Sequence, residues 1–212
     1  MRLDHVSYVA SHDQISDVVN RIGSQIGTAF VDGGIHPKFG TRNFTAPLLN
    51  GQYIEVVCPL DHPATDSTPF GQAVKKKADT GGGWLTWVFR TNNIEDFEEI
   101  FGRKAVEGVR IKPDGSKLTW KQIGVRRLQD SNGQPFFIEW LSNNHPSANG
   151  NPKAKLIKVK IEEIEILELN LASRIAISLE EDYIVLETSQ EKLSSGIESI
   201  VFQIEDTVVE IN

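Results

Sequence analysis

The sequence predicts an α+β protein made of two β-α-β-β-β modules followed by a β-rich C-terminal extension, and three observations support this. Two stretches, "YIEVVCPLDHP" from Tyr53 and "FIEWLSNNHP" from Phe137, each open on an aromatic residue, Ile and Glu, continue through apolar residues and close on His-Pro. Glu55 and Glu139 are 84 residues apart, a spacing beyond the roughly 20 to 50 residues of a solenoid repeat and suited to a duplicated half-domain. The same succession of strand and helix signals leads up to both stretches.

Residues 2–10 alternate and are rich in Val and Tyr, which is the period-two signature of a strand. In "SHDQISDVVNRI", Ser11 and Gln14 stand at capping-box spacing ahead of an amphipathic helix. Runs near 26–31, 41–49 and 52–58 read as strands, separated by a loop "GGIHPKFG" and a turn "NG". The order then repeats. "GWLTWVFRT" at 83–91 is strand-like, "NNIEDFEEIF" offers an Asn cap and a helix, and strands near 104–111, 117–128 and 135–142 are divided by the turn sequences "PDG" and "SNGQ". Between the copies, residues 61–82 suit a connection carrying one helix, capped by Thr68 with Pro69 in its first turn. Beyond "NNHPSANGNPKAK", the runs "KLIKVKIEEIEIL", "RIAISL", "YIVLETS" and "GIESIVFQIED" all read as strands, so the tail is expected to be a third, incomplete copy. The expected organisation is one domain over 1–147, with halves 1–62 and 83–147, and an acidic β-rich module over 154–212.

Composition narrows the class of function. The 212 residues, 39% hydrophobic, can bury a core without disulfides, and the single cysteine excludes both an intramolecular disulfide framework and thiolate zinc sites. The N-terminus lacks secretory-signal features, and no run approaches the roughly 18 apolar residues of a membrane helix, so a cytoplasmic protein is expected. The net charge of -7 is concentrated in the tail, where residues 160–212 carry 13 acidic against 3 basic side chains. Neither nucleic acid nor membrane is an expected partner, and "AVKKKAD" reads as a solvated helix face. The expected partners are a small-molecule ligand and a second copy of the chain, as a homodimer.

Strand alternation selects candidate site residues. Glu55 shares a face with Tyr53 and Val57, and Glu139 with Phe137 and Leu141; a carboxylate on an apolar face of a covered sheet needs a cation, a metal or a proton. His5 shares the inward face of the first strand with Leu3, Ser7 and Val9. An edge salt bridge for each Glu and a satisfied core histidine for His5 are the simpler alternatives. His62 and His145, each before a proline, read as turn residues, and His12 as part of a helix cap. Cys58 lies opposite Glu55 in parity and is expected to pack beneath a helix, and the four tryptophans read as core.

Paired modules that begin "LDHVSYVA", continue "GGIHPKFGTRN" and end on "YIEVV" and "FIEWL" resemble the vicinal oxygen chelate superfamily, and "GGIHPKFGTRNFTAPL" resembles its glyoxalase-like branch over roughly residues 1–147. The resemblance implies a glyoxalase/dihydroxybiphenyl dioxygenase-like fold, with a divalent metal in a cleft that chelates adjacent oxygens of a small molecule. The implied metal positions are His5, Glu55, Thr86 and Glu139, and Thr86 is a poor ligand, so a three-ligand site for zinc, manganese, nickel or iron is expected, with His36 as the candidate replacement. Glu139 and Glu55 are the expected proton-transfer groups, and Asn43, Arg110 and Trp120 the expected substrate contacts. Two functions follow: a metal-dependent lyase, isomerase or hydrolase acting on a small oxygenated metabolite, or a metal-free module of the same fold that binds or sequesters a small molecule.

Overall fold

The computed structural model describes residues 1–129, 133–162, 169–189 and 196–212. Strands β1 (Arg2–Val9), β2 (Val31–His36), β3 (Thr41–Leu48) and β4 (Gln52–Pro59) form one half of a closed barrel, and β5 (Gly83–Arg90), β6 (Val106–Ile111), β7 (Lys117–Ile123) and β8 (Phe136–Trp140) form the other, in the order β1-β4-β3-β2-β6-β7-β8-β5. Each half has the same internal arrangement, with its first strand parallel to its fourth. The halves join where β1 meets β5 and where β2 meets β6, both antiparallel. The duplication read from the sequence is therefore the architecture of the barrel.

Helix α1 (Ile15–Ile26) runs further than the sequence suggested, because Ile15, Ile22 and Ile26 keep one buried stripe until Gly27 ends it at φ 64°. Its start is not a capping box: Ser11 bonds Asp13, and Gln14 caps without a side-chain bond. The extra helical turn moves the next strand to Val31, so β2 absorbs the "GGIH" expected in a loop. A Cβ at Gly34 would lie 1.9 Å from the Ile111 carbonyl oxygen, so only glycine lets β2 and β6 approach and close the barrel.

The connection between the halves holds two helices, α2 (Pro63–Ser67) and α3 (Pro69–Asp79). His62 Nδ1 accepts from the Ala64 amide ahead of Pro63, and His145 Nδ1 accepts from the Ser147 amide ahead of Pro146, so each His-Pro pair is a side-chain cap on a helical turn opened by proline. Helix α3 places Phe70, Ala73 and Val74 among Val9, Val57, Leu85 and Val88, an apolar cluster within the barrel. On the outer face of the second half, α4 (Glu95–Phe101) stacks Phe97 on Phe137. Strand β7 stops at Ile123, and Val125–Gln129 turns as a 3-10 helix.

The tail forms a separate four-stranded sheet of β9 (Ala154–Glu162), β10 (Val185–Ser189), β11 (Ile197–Ile204) and β12 (Thr207–Ile211), in the order β10-β9-β11-β12, with α5 (Leu169–Glu181) between β9 and β10. "RIAISL", expected as a strand, belongs to α5: Leu171, Ile175 and Leu179 are buried at a four-residue spacing that only a helix brings to one face. The end of the expected strand "KLIKVKIEEIEIL", residues 163–167, lies outside the described residues. The element order copies a barrel half, but the pairing does not, since β9 lies parallel to β10, the next strand in the chain. Leu156, Ile200 and Phe202 share one apolar core with Leu3, Trp84 and Trp87 of the barrel, and Trp84 Nε1 donates to the Ile211 carbonyl at 2.7 Å. Among the described residues no helix is long and apolar enough to cross a membrane.

Candidate active site

Alternating side chains from both halves of the barrel converge on one cavity lined by His5, His36, Tyr53, Glu55, Arg110, Trp120, Gln122, Ile138 and Trp140 together with Phe39, Phe70 and Phe136. It holds about 410 Å³ of atom-free space including its mouth, of which about 30 Å³ is open to the centres of water molecules. At roughly 10 to 15 Å³ per water, the enclosed interior has room for about two waters.

His5 stands over Tyr53, ring on ring at 4.4 Å, with Nδ1 2.7 Å from Asp4 Oδ1 and Nε2 3.9 Å from Glu55 Oε2. Asp4 is fully buried, and its other oxygen accepts from Trp140 Nε1 at 3.1 Å and His145 Nε2 at 2.9 Å, with Arg90 at 3.8 Å. Burial pushes the Asp4 carboxyl up, but the hydrogen bonds from His145 and His5 outweigh it and hold the group well below the usual carboxylate range. An ionised Asp4 can only accept, so His5 donates from Nδ1 and its Nε2 faces the cavity.

Glu55 accepts from the Ser7 hydroxyl on Oε2 and from the Asn43 amide on Oε1, both at 2.7 Å. Burial opposes its ionisation, yet the neighbouring imidazoles of His5 and His36 and these two bonds lower its pKa overall. Burial drives His36 down to about 4, so it is neutral at pH 7, with Nδ1 2.9 Å from the Thr41 hydroxyl. Burial likewise raises Tyr53 well above the ordinary phenol, which keeps its proton. Arg110 is buried, makes no ion pair or hydrogen bond with the described residues, and has an unpartnered Nε. It is a buried cation without a direct ion pair among the described residues, in a largely aromatic chamber that also holds the Glu55 carboxylate.

Five of the seven residues proposed from sequence, His5, His36, Glu55, Arg110 and Trp120, line this cavity, and Asn43 reaches it through Glu55. Glu139 does not. In β8 the inward residues are Phe136, Ile138 and Trp140, so Glu139 faces the helix side and its carboxylate accepts from the Ile94 amide at the start of α4, at 3.4 Å. The expected role of Glu139 as metal ligand and proton carrier is corrected to that of a helix-capping group. The two "IE" stretches are one residue out of phase: β1 pairs His5 with Tyr53 while β5 pairs Val88 with Phe136, which makes Ile138 the counterpart of Glu55. Thr86 is equally unsuited to a metal, since its hydroxyl donates to the Gln134 carbonyl at 2.7 Å. The divalent metal implied by the resemblance thus lacks its donor set. Among the described residues no three His, Cys, Asp or Glu side chains are grouped to hold one, and the hydroxyl of Ser7 and the amide of Asn43 already engage both oxygens of Glu55.

Sequence reasoning missed Asp4, Tyr53, Gln122, Trp140 and the link from His145 to Asp4. Tyr53 follows from the alternation that found Glu55 and Gln122 from the same alternation applied to Trp120, whereas Trp140 is hidden by the reading that turns Glu139 inward. Asp4 sits at a register shift between β1 and β5, where alternation gives no guide. Cys58 behaves as expected, buried on the outer face with its thiol pushed up to about 11 by burial.

The glyoxalase-like domain family matches residues 3–176. The chain belongs to that family. No curated protein matches the sequence of this glyoxalase-like protein. Among solved structures, a hypothetical protein from Staphylococcus aureus aligns over 100% of this chain and 85% of its own, at 17% identity and a TM-score of 0.54. Methylmalonyl-CoA epimerase from Mycobacterium tuberculosis aligns over 65% of this chain and 87% of its own, at 15% identity and a TM-score of 0.43. The Streptomyces coelicolor epimerase in complex with 2-nitronate-propionyl-CoA aligns over 67% and 99%, at 14% identity and a TM-score of 0.42. At 17% identity the likeness of this glyoxalase-like protein to the Staphylococcus aureus structure is one of fold.

Proposed function

We propose that this glyoxalase-like protein binds the carboxylate-bearing end of a small oxygenated molecule inside the barrel and moves a proton on it without a metal ion, as an isomerase or lyase. The observation that carries this reading is the Asp4–His5 pair, in which a buried, ionised carboxylate fixes the imidazole tautomer and leaves Nε2 to the cavity. Arg110 supplies the one buried cation of the lining that no described residue neutralises, and its planar fork suits a carboxylate. His5 Nε2 takes the proton from a carbon beside a carbonyl, the C–H electrons move onto the carbonyl oxygen, and the proton returns to the other face or to a neighbouring atom. Tyr53, kept protonated by burial, is a donor for that oxygen.

A second reading, sequestration without turnover, is favoured by one feature: both Glu55 oxygens are already bonded, within an aromatic lining. Both readings need Arg110. Calorimetry with a panel of small 2-oxo and 2-hydroxy carboxylates, in the presence of a chelator, is expected to find a binder whose affinity drops roughly 10- to 100-fold in Arg110→Met. Equal affinity in the variant contradicts both.

A further inference from the structure

Outside the cavity, a larger groove runs across the ends of β6 and β7 and the start of α3, with about 1030 Å³ of atom-free space. Its walls combine apolar side chains, Pro69, Val106, Ile123 and Val125, with four cations, Lys38, Arg103, Lys104 and Arg126. Lys104 is matched by Glu98 at 2.7 Å, and Lys38 donates to the Glu107 carbonyl. The guanidinium groups of Arg103 and Arg126 have no ion pair or hydrogen bond among the described residues. The remaining acids beside Arg103, Glu95 and Glu99, lie on α4, just before it in the chain, and form no ion pair with it. Burial and the like charges of Arg126 and Arg127 all weaken the hold of Arg103 on its proton, which marks a local excess of positive charge. Such a cluster is self-repelling until an anion enters it.

The groove backs onto the barrel site. Phe39, Phe70 and Gln122 line both spaces, so a wall one side chain thick separates the cation cluster from the cavity that holds Arg110 and His5. The space open to water centres is about 460 Å³ in the groove and about 30 Å³ in the cavity. A ligand using both would keep its bulk outside and pass only its compact end inward, past a swung side chain of Phe39, Phe70 or Gln122.

We infer that the groove binds the phosphate or diphosphate handle of a small-molecule ligand whose oxygenated end occupies the barrel cavity, with Arg103, Arg126 and Lys38 holding the phosphate oxygens. The inference rests on the proposed function for the position of the reactive end, while the handle site stands on the groove alone. Arginine forks match phosphate oxygens in pairs, and the apolar wall suits a carbon linker between handle and reactive end.

Titration calorimetry of the full chain at low salt, with inorganic pyrophosphate and then a short ω-carboxyalkyl diphosphate, tests it. Wild-type protein is expected to bind pyrophosphate, roughly tenfold or more weakly in Arg126→Glu and in Arg103→Ala, and unchanged in Arg110→Met. The two-ended probe is expected to bind more tightly than pyrophosphate and to weaken in both Arg126→Glu and Arg110→Met. No pyrophosphate binding, wild-type affinity retained in both groove variants, or binding only of phosphatidylserine vesicles would overturn the handle site. A two-ended probe indifferent to Arg110→Met would overturn the bridge to the cavity while leaving the handle site supported. Two groove variants, each checked by circular dichroism, keep the result readable if one fails to fold.

Discussion

Asp4 is where the site's chemistry and the chain's connectivity meet. Its carboxylate receives His5 from the next position, Trp140 from the last barrel strand and His145 from the segment leading to the second sheet. His36 makes the opposite choice, burying an imidazole beside Arg110 that is neutral at pH 7. Its pKa is lowered from 6.5 to about 4, so between those values the unfolded chain binds the proton and the folded chain does not. Stability attributable to His36 is therefore full above pH 6.5 and declines toward pH 4, by on the order of 3 kcal/mol. Asp4 and Glu55, with lowered values, add losses only at lower pH, below their unfolded carboxylate values. Urea melts across this range should show the decline in wild type and a flatter profile in His36→Gln; an identical slope would contradict it. At this scale sequence parity read Glu55 correctly and Glu139 wrongly for one reason. Alternation fixes which residues share a face, but it does not say which face looks inward, and the matching letters "IE" lie out of phase between the two halves.

At the scale of elements, α3 is the piece that turns a barrel into a chamber. It depends on Gly71: a Cβ there would sit 2.5 Å from the Phe39 carbonyl oxygen and 2.6 Å from that of Thr65, and both are backbone atoms that cannot swing aside. Gly71→Ala should therefore lower the midpoint of thermal unfolding, at a cost of about 1 to 3 kcal/mol, and weaken ligand binding, because Phe39 and Phe70 line the cavity. A variant with wild-type stability would mean that α3 is not seated as described. The helix was legible from Thr68 and Pro69, whereas its place within the barrel was not, since nothing local marks Phe70, Ala73 and Val74 as facing inward strands rather than an outer sheet face. Helix α5 was misread because "RIAISL" alone is short and β-branched; the stripe that decides it begins earlier, at Leu171.

Across the whole molecule, barrel and second sheet share one apolar core, reinforced where Asp182 of the tail accepts from Arg2 and Gln52. A shared core predicts a single cooperative unfolding transition, with Trp84→Ala destabilising the entire chain by about 3 to 5 kcal/mol. Two separate transitions would show that the sheets fold independently. The duplicated barrel was legible because its halves repeat strand and turn signals in one order. The tail repeats that order with different pairing, and pairing depends on contacts between distant residues that no local pattern reports. The central claim, that Asp4 and His5 move a proton in a metal-free barrel, is tested most directly by following deuterium incorporation from D2O into whichever 2-oxo or 2-hydroxy carboxylate the protein binds, by proton NMR in the presence of a chelator. The account predicts exchange beside the carbonyl or hydroxyl with wild-type protein and its loss in His5→Ala with binding retained. Exchange that is absent in wild type, persists in His5→Ala or requires added metal would contradict it.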